Sequence, residues 1–295
     1  MAASLFIILA RNGRHAVIFR RGPSKQVLLI KWDRRKDQFE MGQWFKGRIY
    51  EHRCDLSPSG NLLVYLAAKH KGPIDTWNAV SKPPYLTALA LWPNLGTWGG
   101  GGLFESESTL LLHHSAPKLA EGFRLPANMM VRSLGYSLGM NEFDGIHHAR
   151  LLRDGWTLRQ KGELREHRTG GRLGWRFEPE RLYEKAMSRK RAMRLIEMRL
   201  RGIAGEGTWY KVDHALLDKN HELLLGLPGT SWADWDSNGD LLFANGGKLF
   251  RLPWSNHNEL GRDAAKEIAD FSALTFAPKE PPKEPWHPLG PKFSR

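Results

Sequence analysis

Cysteine is nearly missing: Cys54 is the single one in 295 residues. No intramolecular disulfide can form, and a zinc site built on cysteines is equally excluded. Just ahead of a strand pattern, Cys54 reads as a small buried apolar residue. Long hydrophobic runs are missing too. No stretch approaches the ~20 apolar residues of a membrane span. The apolar run at residues 5–10 is short for a signal sequence and has no basic stretch before it. The cytoplasm is therefore the expected compartment, and no membrane partner is expected. The signatures of cofactor and nucleophile chemistry are also absent. The glycines at 99–102 lack phosphate-loop spacing, and no nucleophile elbow, zinc-protease helix or dinucleotide-binding glycine pattern occurs. No carboxylate pair stands out as acid and base. The sequence calls for no cofactor and no metal, and it assigns no catalytic residue.

What is present is material for short strands. Hydrophobic residues make up 41% of the chain, enough for a core, and 30 Gly and 12 Trp accompany them. Gly supplies positive φ for tight turns, and Trp fills the space between sheets. Residues 14–22 and 25–33 read as strands, and 27–32 is expected to pair with 38–41 across the charged turn at 33–36. The chain arrives along 48–56, turns at Ser59-Gly60 and leaves along 61–67. Residues 83–92 and 108–114 are further strands, 99–102 is a loop or bulge, and 116–144 is a long connection or insertion. Asp154-Gly155 predicts a hairpin turn. Leu182, Ala186, Met193 and Ile196 could line a helix, but from Ile196 to Arg201 apolar and charged residues alternate with period two, and a strand pair over 195–218 is the preferred reading. Three short strands follow. Ala265, Ile268, Ala269 and Phe271 predict a helix over 259–271, ahead of a Pro/Lys-rich tail at 278–295 that is expected to be disordered or extended. The domain reading is one unit over 1–277 plus that tail.

Two segments echo each other. "DLSPSGNLLVY" from Asp55 and "DWDSNGDLLFA" from Asp234 share an Asp, a turn Gly and an apolar run at a constant offset of 179 (234 − 55). Repeats of ~40–45 residues would take about four steps to span that offset. The pair resembles the inner-strand hairpins of TolB-type and WD-repeat β-propellers. That resemblance implies an all-β, irregular β-propeller of about five blades with a peripheral C-terminal helix. The block "QWFKGRIYEHRCDLSP" is also similar to one found in bacterial proteins, and that similarity implies no activity.

The second echo doubles as a calcium-loop pattern, with Asp234, Asp236, Asn238 and Asp240 at positions 1, 3, 5 and 7 and Gly239 at the sixth. The twelfth position is Asn245 rather than Glu, and the other echo keeps one acid, so the turn reading is preferred. His113-His114 and His147-His148, with Asp144 nearby, would form a metal or phosphate site only if the fold brought them together. The net charge of +13 raises the prospect of an acidic partner, but the cations are scattered in pairs and triples along the chain. A polyanion site would require distant residues such as Lys46, Arg48, Arg189 and Arg199 to gather on one face. The first functional expectation is a non-enzymatic platform for protein or peptide partners, with Lys46, Arg48, Trp98, His147 and His148 as binding candidates. The alternatives are a hydrolase or lyase with a channel site using His147 or His148, and nucleic-acid or polyanion binding through a basic surface.

Overall fold

Runs of five to nine β-forming residues cut by Gly-containing turns cannot bury an apolar face as helices, and along this chain they become strands. The computed structural model describes residues 3–22, 25–126, 128–135, 137–138, 144–169, 172–189, 192–203, 210–256 and 262–281. The fold is all-β, and among the described residues the strands form five sheets, each built from strands consecutive in the chain. The first sheet holds β1 (Ser4–Leu9), β2 (His15–Arg21), β3 (Gln26–Asp33) and β4 (Gln38–Lys46). The second holds β5 (Arg48–Ile49), β6 (Asp55–Leu56), β7 (Leu63–Ala68), β8 (Thr76–Ser81) and β9 (Ala90–Pro93). The third holds β10 (Gly102–Phe104), β11 (Thr109–Leu112) and β12 (Met130–Ser133). One α-helix, α1 (Ile146–Arg153), follows.

The fourth sheet is the largest. It comprises β13 (Thr157–Gln160), β14 (Glu163–Thr169), β15 (Arg172–Arg189), β16 (Ala192–Ile203), β17 (Tyr210–Asp218) and β18 (Leu223–Leu227). The fifth comprises β19 (Thr230–Trp235), β20 (Leu241–Asn245), β21 (Lys248–Leu252) and β22 (Lys266–Asp270). From β2 onward, neighbouring strands pair antiparallel, except that β12 lies parallel to β11.

The described chain groups into two compact units. Unit 1 is Met1–Phe6 with Leu151–Leu274, and unit 2 is Ile7–Arg150 with Thr275–Arg295. In unit 2, inward residues of the second and third sheets make one core that includes Leu62, Val64, Val80, Trp92, Phe104 and Leu110. Val64 of β7 faces this core, and the neighbouring Leu63 and Tyr65, which alternation sends to the other face, are buried as well. In unit 1 the long strands carry charge on their exposed faces, and acids answer the cations. Arg199 lies 2.9 Å from Glu197 and 3.5 Å from Glu180, and Arg201 lies 3.0 Å from Asp213.

Both echoed segments are hairpins, in the second and fifth sheets. In each, a Gly at positive φ closes the turn: Gly60 (φ 83°) donates to the Ser57 carbonyl at 2.8 Å, and Gly239 (φ 88°) to that of Asp236 at 2.9 Å. Past the Gly the two diverge. Ser57 closes on Leu62, whereas Asp236 closes on Asp240, one residue sooner. The 179-residue offset therefore holds up to the turn and slips by one in the returning strand, which exchanges the two faces.

Three expectations are corrected. The C-terminal helix expected over 259–271 is a short 3-10 turn (Arg262–Ala264) and edge strand β22; residues 259–261 lie outside the described set. Pairing with β21 and ion pairs from Lys248 to Glu267 (2.8 Å) and Asp270 (3.4 Å) outweigh a narrow apolar stripe. Asp154-Gly155 does not close a hairpin but ends α1. Gly155 sits at φ 88° and donates to the Leu152 carbonyl at 3.2 Å, and Trp156 donates to that of Leu151 at 3.0 Å. An Asp-Gly step meets the positive-φ demand of a helix C-cap as well as that of a hairpin. Within 83–92 only the end is strand, as β9. The strand pair at 195–218 is present as β16 and β17. Residues 282–295 of the expected tail lie outside the described residues.

Candidate functional site

Between β9 and β10, residues 94–101 read Asn-Leu-Gly-Thr-Trp-Gly-Gly-Gly. This loop presents two large apolar side chains to solvent, Leu95 at 98% exposure and Trp98 at 75%. Its backbone is held from below by buried polar side chains. Arg53 donates from Nη1 to the carbonyls of Thr97 (2.7 Å) and Gly99 (2.8 Å). Asn94 donates to Gly96 (2.7 Å) and Gly99 (3.3 Å), and Asn78 Oδ1 accepts from the Gly101 N–H at 2.5 Å. Gly100 donates to the His113 carbonyl at 2.9 Å, and His113 to that of Gly101 at 3.0 Å. At Gly101 (φ 93°) a side chain would collide with the backbone of Arg53. The glycine run is thus a close approach of backbone to backbone.

Arg53 is aimed by its neighbours in "EHRCD". Residues Glu51–Arg53 form a single 3-10 turn in which Arg53 N–H bonds the Tyr50 carbonyl at 2.8 Å. All five residues are buried. Glu51 meets Arg21 at 2.5 Å. His52 stacks on His147 of α1, with ring centroids 4.2 Å apart and planes 14° from parallel. Cys54 Sγ donates to the Tyr50 carbonyl at 3.2 Å. Asp55 Oδ2 accepts from the Phe104 N–H at 2.7 Å, joining the second sheet to the third. Arg150 donates to the carbonyls of Cys54 and Glu51 and sits 3.3 Å from His147 Nδ1. Burial, and then His147, Arg150, Arg21 and Arg48, hold His52 well below its ordinary range, so it is neutral near pH 7. Burial pushes the Cys54 thiol up, which makes it an unreactive thiol rather than a nucleophile.

The residues singled out from sequence fall in different settings. Trp98 tops the braced loop. Lys46 is exposed at the end of β4 with its ammonium 4.1 Å from the Phe276 ring centroid, and the Arg48 guanidinium lies 4.6 Å from that of Tyr50. His147 and His148 stand on α1 rather than on a strand, the first buried and the second half-buried. His113 is buried beyond β11, and His114 Nε2 lies 3.0 Å from the Pro93 carbonyl. The side chain of Arg189 lies outside the described residues. In the calcium-like loop, Asp236 and Asp240 share Arg251 at 2.7 and 3.1 Å, and Asp234 meets Lys185 at 2.6 Å. Cations of the chain itself fill that turn. Among the described residues, no group of three or more His, Cys, Asp or Glu is placed to hold a metal ion, and no helix is long and apolar enough to cross a membrane.

Sequence reasoning missed Arg53, Asn78 and Asn94, which hold the loop, and His52, which faces His147. No local signal marks them, because each works on a partner 23 to 95 positions away or on its own loop backbone. No family model, curated protein or solved structure matches this chain.

Proposed function

We propose that the protein is a non-enzymatic platform for a protein or peptide partner, with Leu95 and Trp98 as its anchor. The observation that carries this reading is an exposed Trp on a loop whose backbone is fixed by buried Arg53, Asn94 and Asn78. Trp98 is 75% exposed, and burying that share of a Trp's 150–250 Å² at about 25 cal/mol/Å² is worth about 3–5 kcal/mol before ordering costs. A rigid loop keeps those costs small, and Trp is among the residues enriched at binding hot spots. In an unbound chain two such side chains in water gain nothing from their exposure, while a partner with an apolar pocket recovers it.

The same reading takes the five sheets as the blades of an irregular β-propeller. Its support is that each sheet uses consecutive strands and that the two echoed turns share their Gly geometry. Affinity purification with the wild-type chain and with a Leu95→Ser/Trp98→Ser double variant tests the platform. A partner retained by the first and lost by the second is the expected result. Identical recovery by both would remove the loop from the interface.

A further inference from the structure

The basic excess is not shared evenly. Positions 7–150 and 275–295, which make up unit 2, carry 23 Lys and Arg against 13 Asp and Glu, out of 44 and 31 in the whole chain. That leaves 21 against 18 in unit 1, a net +10 beside +3. The ion-paired strands of unit 1 are therefore close to neutral, and what needs a counterpart lies in unit 2.

Within unit 2, strand register gathers several of these cations at one corner. β3 begins next to Lys25, and Gln26 is paired with Lys46 at the end of β4. The Gly47 N–H bonds the Lys25 carbonyl at 2.9 Å. Arg48 on β5 is paired with Ala68, which precedes Lys69. Lys25, Lys46 and Lys69 are exposed and Arg48 is half-buried. Among the described residues no carboxylate comes within 4.0 Å of the Lys25, Lys46 or Lys69 ammonium groups. Along the chain the acid nearest to Lys69 is Asp75, whose carbonyl accepts from the Lys69 N–H at 2.8 Å, and the acid nearest to Lys46 and Arg48 is Glu51, which meets Arg21 at 2.5 Å. Half-buried rings lie beside Lys69. Phe45 and Trp77 meet edge to face at 5.8 Å, and the Lys69 ammonium is 5.6 Å from the Phe45 centroid.

From this juxtaposition we infer that the corner of unit 2 formed by Lys25, Lys46, Arg48 and Lys69 around Phe45 and Trp77 binds single-stranded nucleic acid. The three lysines, without carboxylate partners, provide for the phosphates, and the rings offer π-faces to unstacked bases, a combination that a bare polyphosphate or a paired duplex uses only in part. The surface is separate in residues from the Leu95–Trp98 loop, and the inference does not rest on the platform reading.

The test is fluorescence anisotropy of the full chain with labelled oligo(dT) of about 20 nucleotides, beside a duplex of equal length and inorganic polyphosphate. Contact with about three phosphates gives a slope near −2 in log affinity against log salt, or roughly 16-fold weaker binding between 50 and 200 mM. Lys46→Glu with Lys69→Glu is expected to weaken binding at least about tenfold and to flatten that slope. Lys219→Glu, an exposed turn position of unit 1, should leave both unchanged, and Trp77→Leu should weaken oligo(dT) more than polyphosphate. Equal losses from Lys219→Glu, equal affinity for duplex or polyphosphate, or no binding at low salt by a chain with a native melting transition would each overturn the assignment.

Discussion

Replacing Arg53 by Met is the sharpest probe of the braced loop. The apolar stem is kept, but the Nη1 donor to Thr97 (2.7 Å) and Gly99 (2.8 Å) is lost. Hydrogen bonds from charged donors contribute about 1.5–3 kcal/mol each, so the pair is worth about 3–6 kcal/mol gross. Arg53 is only 5% exposed, and removing a buried charge returns part of that as relief from desolvation. A net loss of about 3 kcal/mol follows, and it falls on the loop because the β9 and β10 ladders do not depend on Arg53. At 1.36 kcal/mol per factor of ten, local opening becomes about 150-fold more frequent. Amide exchange of Gly100 and Gly101, whose N–H groups bond the His113 carbonyl and Asn78 Oδ1, reads this directly. Strand amides of β7 and β8 serve as the internal reference. If Gly100 and Gly101 exchange at the wild-type rate in a folded Arg53→Met chain, the brace is not what holds the loop.

Acid should destabilise the fold through its buried neutral histidines. Burial holds His214 down at about 4 from an ordinary 6.5, and His52 is also lowered. Between those values the unfolded chain binds more protons, so stability falls as pH drops through 6.5 and levels off near 4, with His214 alone accounting for about 3 kcal/mol. Melting curves from pH 7.5 to 4.5 check it, and a flat melting temperature over that range refutes it. Arg251→Met leaves Asp236 and Asp240 buried side by side without their shared cation, and a loss of about 3–5 kcal/mol is expected in urea unfolding; a change below about 1 kcal/mol would show the pair to be solvated. Calcium should not shift the wild-type melt, because Arg251 and Lys185 already meet those carboxylates; a rise of several degrees with calcium over chelator would argue otherwise. Asp55→Ala strands the buried Phe104 N–H and is expected to cost about 1–3 kcal/mol, with Asp55→Asn recovering most of it in the same unfolding assay.

Local conformation is what the order of residues specifies in this chain. Period-two runs and turn glycines set strands and hairpins to within a few residues, so β2 to β4, the pair β16–β17 and the two echoed turns at Gly60 and Gly239 are legible from the amino acids alone. Where two local conformations share one demand, the same reasoning fails. Asp154-Gly155 satisfies both a hairpin and a helix end, and residues 265–271 satisfy both an apolar helix stripe and an edge strand. What lies alongside makes the choice, namely the α1 carbonyls of Leu151 and Leu152 in one case and β21 in the other. The sites belong to the tertiary structure almost entirely. Trp98 is visible in the sequence as a Trp among glycines, but that it stands in water on a fixed backbone depends on Arg53, 44 and 46 positions before the carbonyls it holds. The sequence shows +13 as scatter, and only strand register brings Lys46, Arg48 and Lys69 to one corner while pairing the arginines of the long strands with their acids. Hydrogen bonds and charges act over a few ångströms of space, and folding decides which distant residues share them.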